Sequence, residues 1–284
     1  MPAAPPLSPI GTLLRQHDRD RFLAALFAPA AAREALFALY AFNYEVAKTR
    51  EVVTEPALGR IRLQWWRESL DEAYAGRPLR RHEVAEPLGR AIREHRLSRG
   101  HFTTLIAARE ADLEPEGPAS LAALESYAEA SSASLVLLAL EVLGARDEVA
   151  AAAGRAVGIG YALSGLLRAV PFHARAKRLY LPQELIESAG VDIARGLFEL
   201  RSSPALRRVV GAVAERARTH LAAARALAPR IPRAAVPALL PALLAEADLA
   251  RLRRAGYDPF APAVARPDPW RSWRLTLASL RGRY

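Results

Sequence analysis

Proline and glycine cut this chain into segments built largely from alanine, leucine, arginine and glutamate, a pattern that leaves little room for anything but helix. Segment 31–54 places Leu36, Leu39, Tyr40, Asn43, Val46 and Ala47 on one stripe at three-to-four spacing. Segment 57–75 carries Ile61, Trp65, Trp66, Ser69, Leu70 and Ala73 on a second stripe, with Arg60, Arg67, Glu68, Asp71 and Glu72 outside it. Further helices are predicted over 84–96, 99–113, 119–143, 147–169, 183–189, 192–200, 204–228, 234–254 and 270–281. Pro87 is tolerable only in an opening turn, so the 84–96 helix has room to start late. Strand-like alternation is confined to Leu179-Tyr180-Leu181, which Pro182 ends. The expected fold is therefore all-α and single-domain. Residues 1–14 are expected as a flexible N-terminus, 15–256 as the helical domain, and 257–284 as a Pro-rich connector with a C-terminal helix. Glycines 154, 158, 160 and 165 lie inside an apolar helix, where close approach of another helix or a ligand would offset their low propensity.

Several classes of function fall away on composition. Without cysteine there is no disulfide, no thiolate-bound zinc or iron–sulfur cluster and no thiol nucleophile. The net charge of +10 is almost wholly arginine, only Lys48 and Lys177 being lysine. Those arginines are dispersed among carboxylates rather than gathered into a tract, so no nucleic-acid partner is expected, while an anionic membrane or protein surface stays open. The start of the chain is proline-rich, with Asp18 and Asp20 soon after, which does not read as a secretory signal. The apolar stretches 133–140 and 234–245 fall short of the ~20 residues that span a bilayer.

Common site motifs fail as well. Gly158-Ile-Gly160 is followed by Leu163 where a dinucleotide fingerprint needs glycine, and no strand precedes it. Ser164 lacks the glycine spacing of a nucleophile elbow. No two of the six histidines stand four apart, and no metal or cofactor is expected. Glu68, Asp71 and Glu72 share a helical face, as do Glu51 and Glu55; they read as solvated faces paired with Arg67 or Arg50.

Two stretches carry a resemblance. One runs from Tyr40 to Glu51, the other from Gly158 through Arg168-Ala-Val-Pro-Phe-His173 to Arg178-Leu-Tyr180-Leu-Pro182. Together they resemble the two signature regions of the squalene/phytoene synthase family, and segments 63–76, 102–113 and 124–127 fall in the family's order between them. The resemblance implies a helical bundle of the isoprenoid (trans-prenyl) synthase type. Family enzymes join two prenyl diphosphates, using aspartate-rich motifs on facing helices to hold magnesium ions, hard cations that demand oxygen ligands. At the corresponding positions this chain has Ala47, Lys48 and Glu51 in the first motif and Ala169 and His173 in the second, with Ala162 and Gly165 replacing the polar pair before it. One carboxylate of five survives, so the resemblance implies a pseudoenzyme.

Arg168, Arg178 and Tyr180 match positions that lie near the diphosphate in the enzymes, and Lys48, Arg50, Arg175 and Lys177 add charge nearby. Two readings stand: the cavity binds an anionic, lipid or prenyl ligand without metal, or these arginines pair with Glu45, Glu51 and Glu55. His173 reads as a hydrogen-bonded structural residue. Within the family the pattern resembles the non-catalytic complex I assembly factor branch and its bacterial relatives. The carriers are the elements around 33–50, Val53-Thr-Glu-Pro, Ile61-Arg-Leu-Gln-Trp-Trp, Tyr127-Ala-Glu with Ser131-Ser132, and the tail 257–284. That branch implies partners among respiratory complex I subunits or other assembly proteins, and a cytoplasmic location peripheral to the inner membrane (the mitochondrial matrix in a eukaryote). A prenyl transferase with an atypical site is the competing reading. In the last helix Trp270, Trp273, Leu277 and Leu280 line one face, with Arg271, Arg274, Arg281 and Arg283 largely off it. Such a helix suits either an anionic membrane surface or docking onto the bundle.

Overall fold

The computed structural model describes residues 7–114, 116–266 and 268–284, and every regular element among them is helical. Local chemistry sets most of the boundaries. Pro56 and Pro204 open the Pro56–Tyr74 and Pro204–Leu227 helices, where a missing N–H costs no intrahelical bond. Gly190 and Gly282 end theirs in the left-handed conformation.

The Ala30–Ala47 helix is buried on nearly every side, twelve of its eighteen residues being core. It therefore has no single stripe, and the stripe seen in the sequence is one part of an all-round apolar surface. Phe42 sits at its centre, edge-on to Trp66 at 5.2 Å and to Phe102 at 5.4 Å. The helix breaks at Lys48, and Thr49–Val52 follows as a separate turn. In Pro56–Tyr74 the buried face is Leu63, Trp66, Leu70 and Ala73. Ile61, expected on that face, is 67% exposed, because it points to the opposite side of the helix from the buried Gly59, Leu63 and Trp66; Val52 and Leu58 are exposed beside it in the sequence. The carboxylates of this helix pair with other arginines than expected. Arg80 bridges Glu68 and Glu72, Arg99 takes Asp71, and Arg67 crosses to Glu110.

Residues 9–14, expected within a flexible terminus, form part of the capped Pro9–His17 helix. The Ser8 hydroxyl accepts from the Gly11 N–H at 3.1 Å, and Ile10 and Leu14 are buried in the core. Residues 1–6 of that segment lie outside the described residues.

The helix expected over 119–143 is three pieces: Leu121–Ala128, a π-helical turn at Glu129–Ala133, and Ser134–Val142. The reason lies across the bundle in the central helix Glu148–Arg168. A Cβ on Gly158 would overlap the Cα and N of Ala133, so the widened turn and the glycine let two backbones touch. Gly160 meets Leu221 and the carbonyl of Ala217 on Pro204–Leu227 in the same way. These two glycines make the close approach that their sequence context predicts. Gly158→Ala is expected to cost about 1–3 kcal/mol in a urea melt, since a backbone cannot yield as a side chain can. An unchanged midpoint would show that the π-turn relaxes freely.

Glu148–Arg168 is long and apolar enough to cross a membrane, but half of its most apolar window is buried inside the bundle and it packs against Pro204–Leu227 and Pro241–Arg254. It is the hub of a helical bundle. The 234–254 helix is interrupted: Val236–Leu239 precedes Pro241–Arg254, since Pro237 and Pro241 each remove a donor. The 192–200 segment shrinks to one π-turn, Ile193–Leu197. The connector after Tyr257 contains a helical turn, Pro262–Ala265, and beyond it Arg271–Arg281 lies against the bundle.

Candidate functional site

Two cavities adjoin in the middle of the bundle, sharing Tyr127. The first, about 550 Å³, is bounded by Arg19-Asp20-Arg21, Asn43 and Ala47, Ser131 and Ser132, and the Tyr161–Arg168 turn of the central helix. Five arginines (19, 21, 109, 168 and 271) face two aspartates (18 and 20) around it. The second, about 460 Å³, is bounded by Arg50, Asp112, Tyr127, Lys177, Arg178 and Tyr180.

The carboxylates of the first cavity are committed to arginine. Asp18 caps Arg19–Ala25 and holds Arg21 at 2.6 Å. Burial opposes charge on Arg21, yet Asp18 keeps its pKa above the ordinary value; Tyr161 (5.0 Å) and Tyr40 (5.9 Å) lie under the guanidinium. Asp20 faces Arg271 at 3.1 Å and Arg168 at 3.6 Å. Asp248, from Pro241–Arg254, takes Arg271, Arg251 and Arg168 at 2.9, 3.0 and 3.1 Å. Two polar atoms on this wall, Asn43 Oδ1 and Ser132 Oγ, are buried without a hydrogen-bond partner.

Between the cavities lies a second polar knot. Arg109 donates to Tyr127 at 2.7 Å and to Asp112 at 3.2 Å, while the Tyr127 and Tyr180 hydroxyls donate to Asp112 at 3.0 and 3.1 Å. The side chains of Arg109 and Asp112 are only 15% and 7% exposed. Burial works against the Arg109 charge, but Tyr127 and Asp112 more than restore it.

The residues singled out from the sequence divide as follows. Ala47 lines the first cavity. Lys48 beside it turns away, pairing with the buried Glu45 and lying 4.6 Å from the Tyr44 ring, and Arg62 takes the other Glu45 oxygen. Glu51, the one surviving motif carboxylate, is exposed on its short turn, as is Glu55. Arg168 sits at the mouth of the first cavity, paired with Asp20 and Asp248 rather than with Glu45, Glu51 or Glu55. Arg50, Arg178 and Tyr180 line the second, where Arg178 donates to the Arg50 carbonyl at 3.3 Å. Ala169 is half-buried outside both, and Arg175 is exposed. Asp112, Tyr127 and Arg109 lie in segments that carry the resemblance, but their pairing had no signal in the sequence, because it depends on tertiary contact.

His173, expected to be hydrogen-bonded, leaves its Nδ1 buried without a partner; its ring packs on Tyr180 at 4.4 Å and beside Phe172. Burial, followed by the Arg178 charge, pushes its pKa down from 6.5 to about 4, against an opposing pull from Asp112. The folded state thus prefers neutral imidazole. Stability is complete above pH 6.5 and drains away as pH falls towards 4. The expected loss between neutrality and pH 4 is about 2 kcal/mol, discounted for partial exposure. A His173→Phe variant, melted across that range, should lack this increment; an identical pH profile would remove His173 as its source.

The donors do not fit a magnesium cluster. Magnesium needs carboxylate oxygens converging on one point. Around the cavity each aspartate already faces guanidinium groups, and among the described residues no three of His, Cys, Asp or Glu come together as a metal site.

The same chain, compared with known proteins, matches the squalene/phytoene synthase profile across residues 14–280. The chain belongs to the squalene/phytoene synthase family. A relative of this family member, complex I assembly factor 6 of Bos taurus, is 33% identical over 272 residues, covering 96% of this chain and 81% of the relative. A presqualene diphosphate synthase of Rhodopseudomonas palustris is 29% identical over 220 residues, covering 76% and 77%. Among solved structures, squalene synthase HpnC from Alicyclobacillus acidocaldarius superposes with a TM-score of 0.77 at 24% identity, over 88% of this chain and 94% of that one. The squalene/phytoene synthase fold is thus shared with enzymes, while the cavity chemistry differs from a carboxylate-lined metal site.

Proposed function

We propose that this chain is a non-catalytic squalene/phytoene synthase homologue that acts in assembly of respiratory complex I. The observation that carries the reading is the state of the cavity. Ala47 and Ala169 supply no ligand, Lys48 is paired with Glu45, Glu51 is exposed, and Asp18 and Asp20 are neutralised by arginine. A departing diphosphate needs its developing charge stabilised and its metal held, and this donor set supports only the first. The assembly role itself is supported by relatives named complex I assembly factor 6, which match 96% of the chain. Complex I subunits or other assembly proteins are the partners this reading names, and the membrane-facing cytoplasm or matrix the place.

The arginine-rich lining, with the Ser132 hydroxyl unpartnered, also supports a retained ligand: an anionic or prenyl lipid held without metal. Mass spectrometry of lipid extracted from the purified protein tests that part, and an empty extract would remove it.

Deletion of the gene in its source organism should abolish or sharply reduce assembled complex I on native gels. Wild-type protein should restore it, and so should a Glu51→Ala variant lacking the last motif carboxylate. Complex I at full level in the deletion strain would contradict the assembly role. Rescue by wild type but not by Glu51→Ala would contradict the non-catalytic reading.

A further inference from the structure

The C-terminal helix Arg271–Arg281 has two faces, and the bundle uses only one of them. Leu275 is fully buried, Arg271 is held by Asp20 and Asp248, and the buried Tyr284 hydroxyl donates to the Ala224 carbonyl at 2.9 Å. Arg225 lies 5.5 Å from the Tyr284 ring, and the buried Asp268 accepts from the Trp270 N–H at 3.0 Å. Both ends of the helix are therefore fixed to the bundle, and the helix is not free to roll. On the opposite face Trp270, Trp273, Leu277 and Leu280 are 63, 69, 48 and 78% exposed. At 100° per residue these four fall on one side of the helix, centred about opposite Leu275. Docking onto the bundle, one of the two alternatives raised by the sequence, thus leaves the tryptophan face uncovered.

The exposed charges around that face are of one sign, the nearest carboxylate being buried Asp268, whose Oδ2 lies 3.4 Å from Arg274 Nε and leaves the rest of that guanidinium exposed. Residues 270–284 contain four arginines and no carboxylate side chain. Arg274 and Arg281 flank one edge of the apolar face, Arg283 follows the helix, and exposed Arg233 lies against Gly282 at its end. All are guanidinium groups, which suit bidentate hydrogen bonds to phosphate.

We propose that this face seats the protein on an anionic phospholipid surface, with Trp270, Trp273, Leu277 and Leu280 inserted at the headgroup boundary and Arg274, Arg281, Arg283 and Arg233 on lipid phosphates. Tryptophan belongs at such a boundary because its ring is apolar while its indole N–H can still reach water or headgroup. A helix lying in the interface sinks by about 5–10 Å, the depth of one side-chain layer. Self-association through the same face fits less well, since a two-fold contact would set the Arg274 and Arg281 pairs of two copies against one another. Of the residues that line the first cavity only Asp20 and Arg271 take part here, and they hold the helix in place without touching its tryptophan face.

The test is co-sedimentation of the full chain with vesicles of phosphatidylcholine alone and of an equimolar mixture with phosphatidylglycerol. Binding is expected to the mixed vesicles, weaker with phosphatidylcholine alone, and falling as salt is raised. A Trp273→Ser/Leu280→Ser double variant changes only exposed side chains and should melt like the wild type. It should bind about tenfold or more weakly, from the lost apolar insertion. Arg281→Gln/Arg283→Gln should lose affinity for the mixed vesicles while leaving the weak phosphatidylcholine binding in place. No binding to mixed vesicles, or equal binding by the serine variant, would overturn the proposal. So would a wild-type dimer in sedimentation velocity that the serine variant converts to monomer, which would assign the face to a second copy.

Discussion

Replacing Asp112 by alanine should destabilise the protein by about 3–5 kcal/mol, the cost of leaving a buried guanidinium without its carboxylate. Asp112 accepts from Arg109, Tyr127 and Tyr180, so one truncation strips a partner from three half-buried groups on three different segments. Against a total stability of typically 5–15 kcal/mol, that is a large fraction. Urea denaturation should show it as a lower midpoint at unchanged slope. The Asp112→Ala/Arg109→Leu double variant should recover much of the loss, because the uncompensated charge has then gone too. A single-variant cost below about 1 kcal/mol, the range of exposed pairs, would mean that water reaches the knot.

The second large effect is expected at Asp248. Its carboxylate, 10% exposed, gathers Arg168, Arg251 and Arg271 from the central helix, its own helix and the C-terminal helix. Asp248→Asn should cost about 3 kcal/mol, toward the lower end for a buried ion pair because two of the arginines keep other contacts. Arg168 and Arg271 still face Asp20. The loss should fall unevenly, since Arg271 is one of the few polar ties of the last helix. Limited proteolysis should cut between 258 and 270 in the variant before the bundle opens, whereas uniform global unfolding without that early cut would deny Asp248 a role in docking the tail.

Elements of the fold differ in how far the sequence discloses them. Helix starts at Pro56 and Pro204 and the stop at Gly190 are readable because the conformational preference belongs to the residue itself. The π-turn at Glu129–Ala133 is not, since its apolar pattern runs on unbroken and its cause, the backbone of Gly158, lies on another helix. Ile61 shows the limit of periodicity: it shares a stripe with Trp65, yet the bundle takes the opposite side of the helix, through Gly59, Leu63 and Trp66. Ser8 and Pro9 did carry a helix-start signal, masked by the run of prolines before them.

The cavity was legible by motif position and opaque in its electrostatics. Ala47 and Arg168 could be placed by resemblance, and both border the first cavity. The pairing of Arg168 with Asp248 spans eighty residues, and Tyr180 reaches Asp112 across sixty-eight. No local spacing encodes such partners; they follow from how helices stack. The same is true of the last helix, where sequence periodicity defines an apolar face but not which face the bundle takes.

The measurement that bears most directly on the non-catalytic reading is diphosphate release from farnesyl diphosphate by the purified, folded protein, with and without magnesium. A related presqualene diphosphate synthase run alongside would supply the positive control. The expected result is no release above background in either condition, because among the described residues no carboxylate cluster is in place to hold the metal on a departing diphosphate. Magnesium-dependent turnover would contradict that reading and would mean that ligands outside the two motif helices rebuild the metal site.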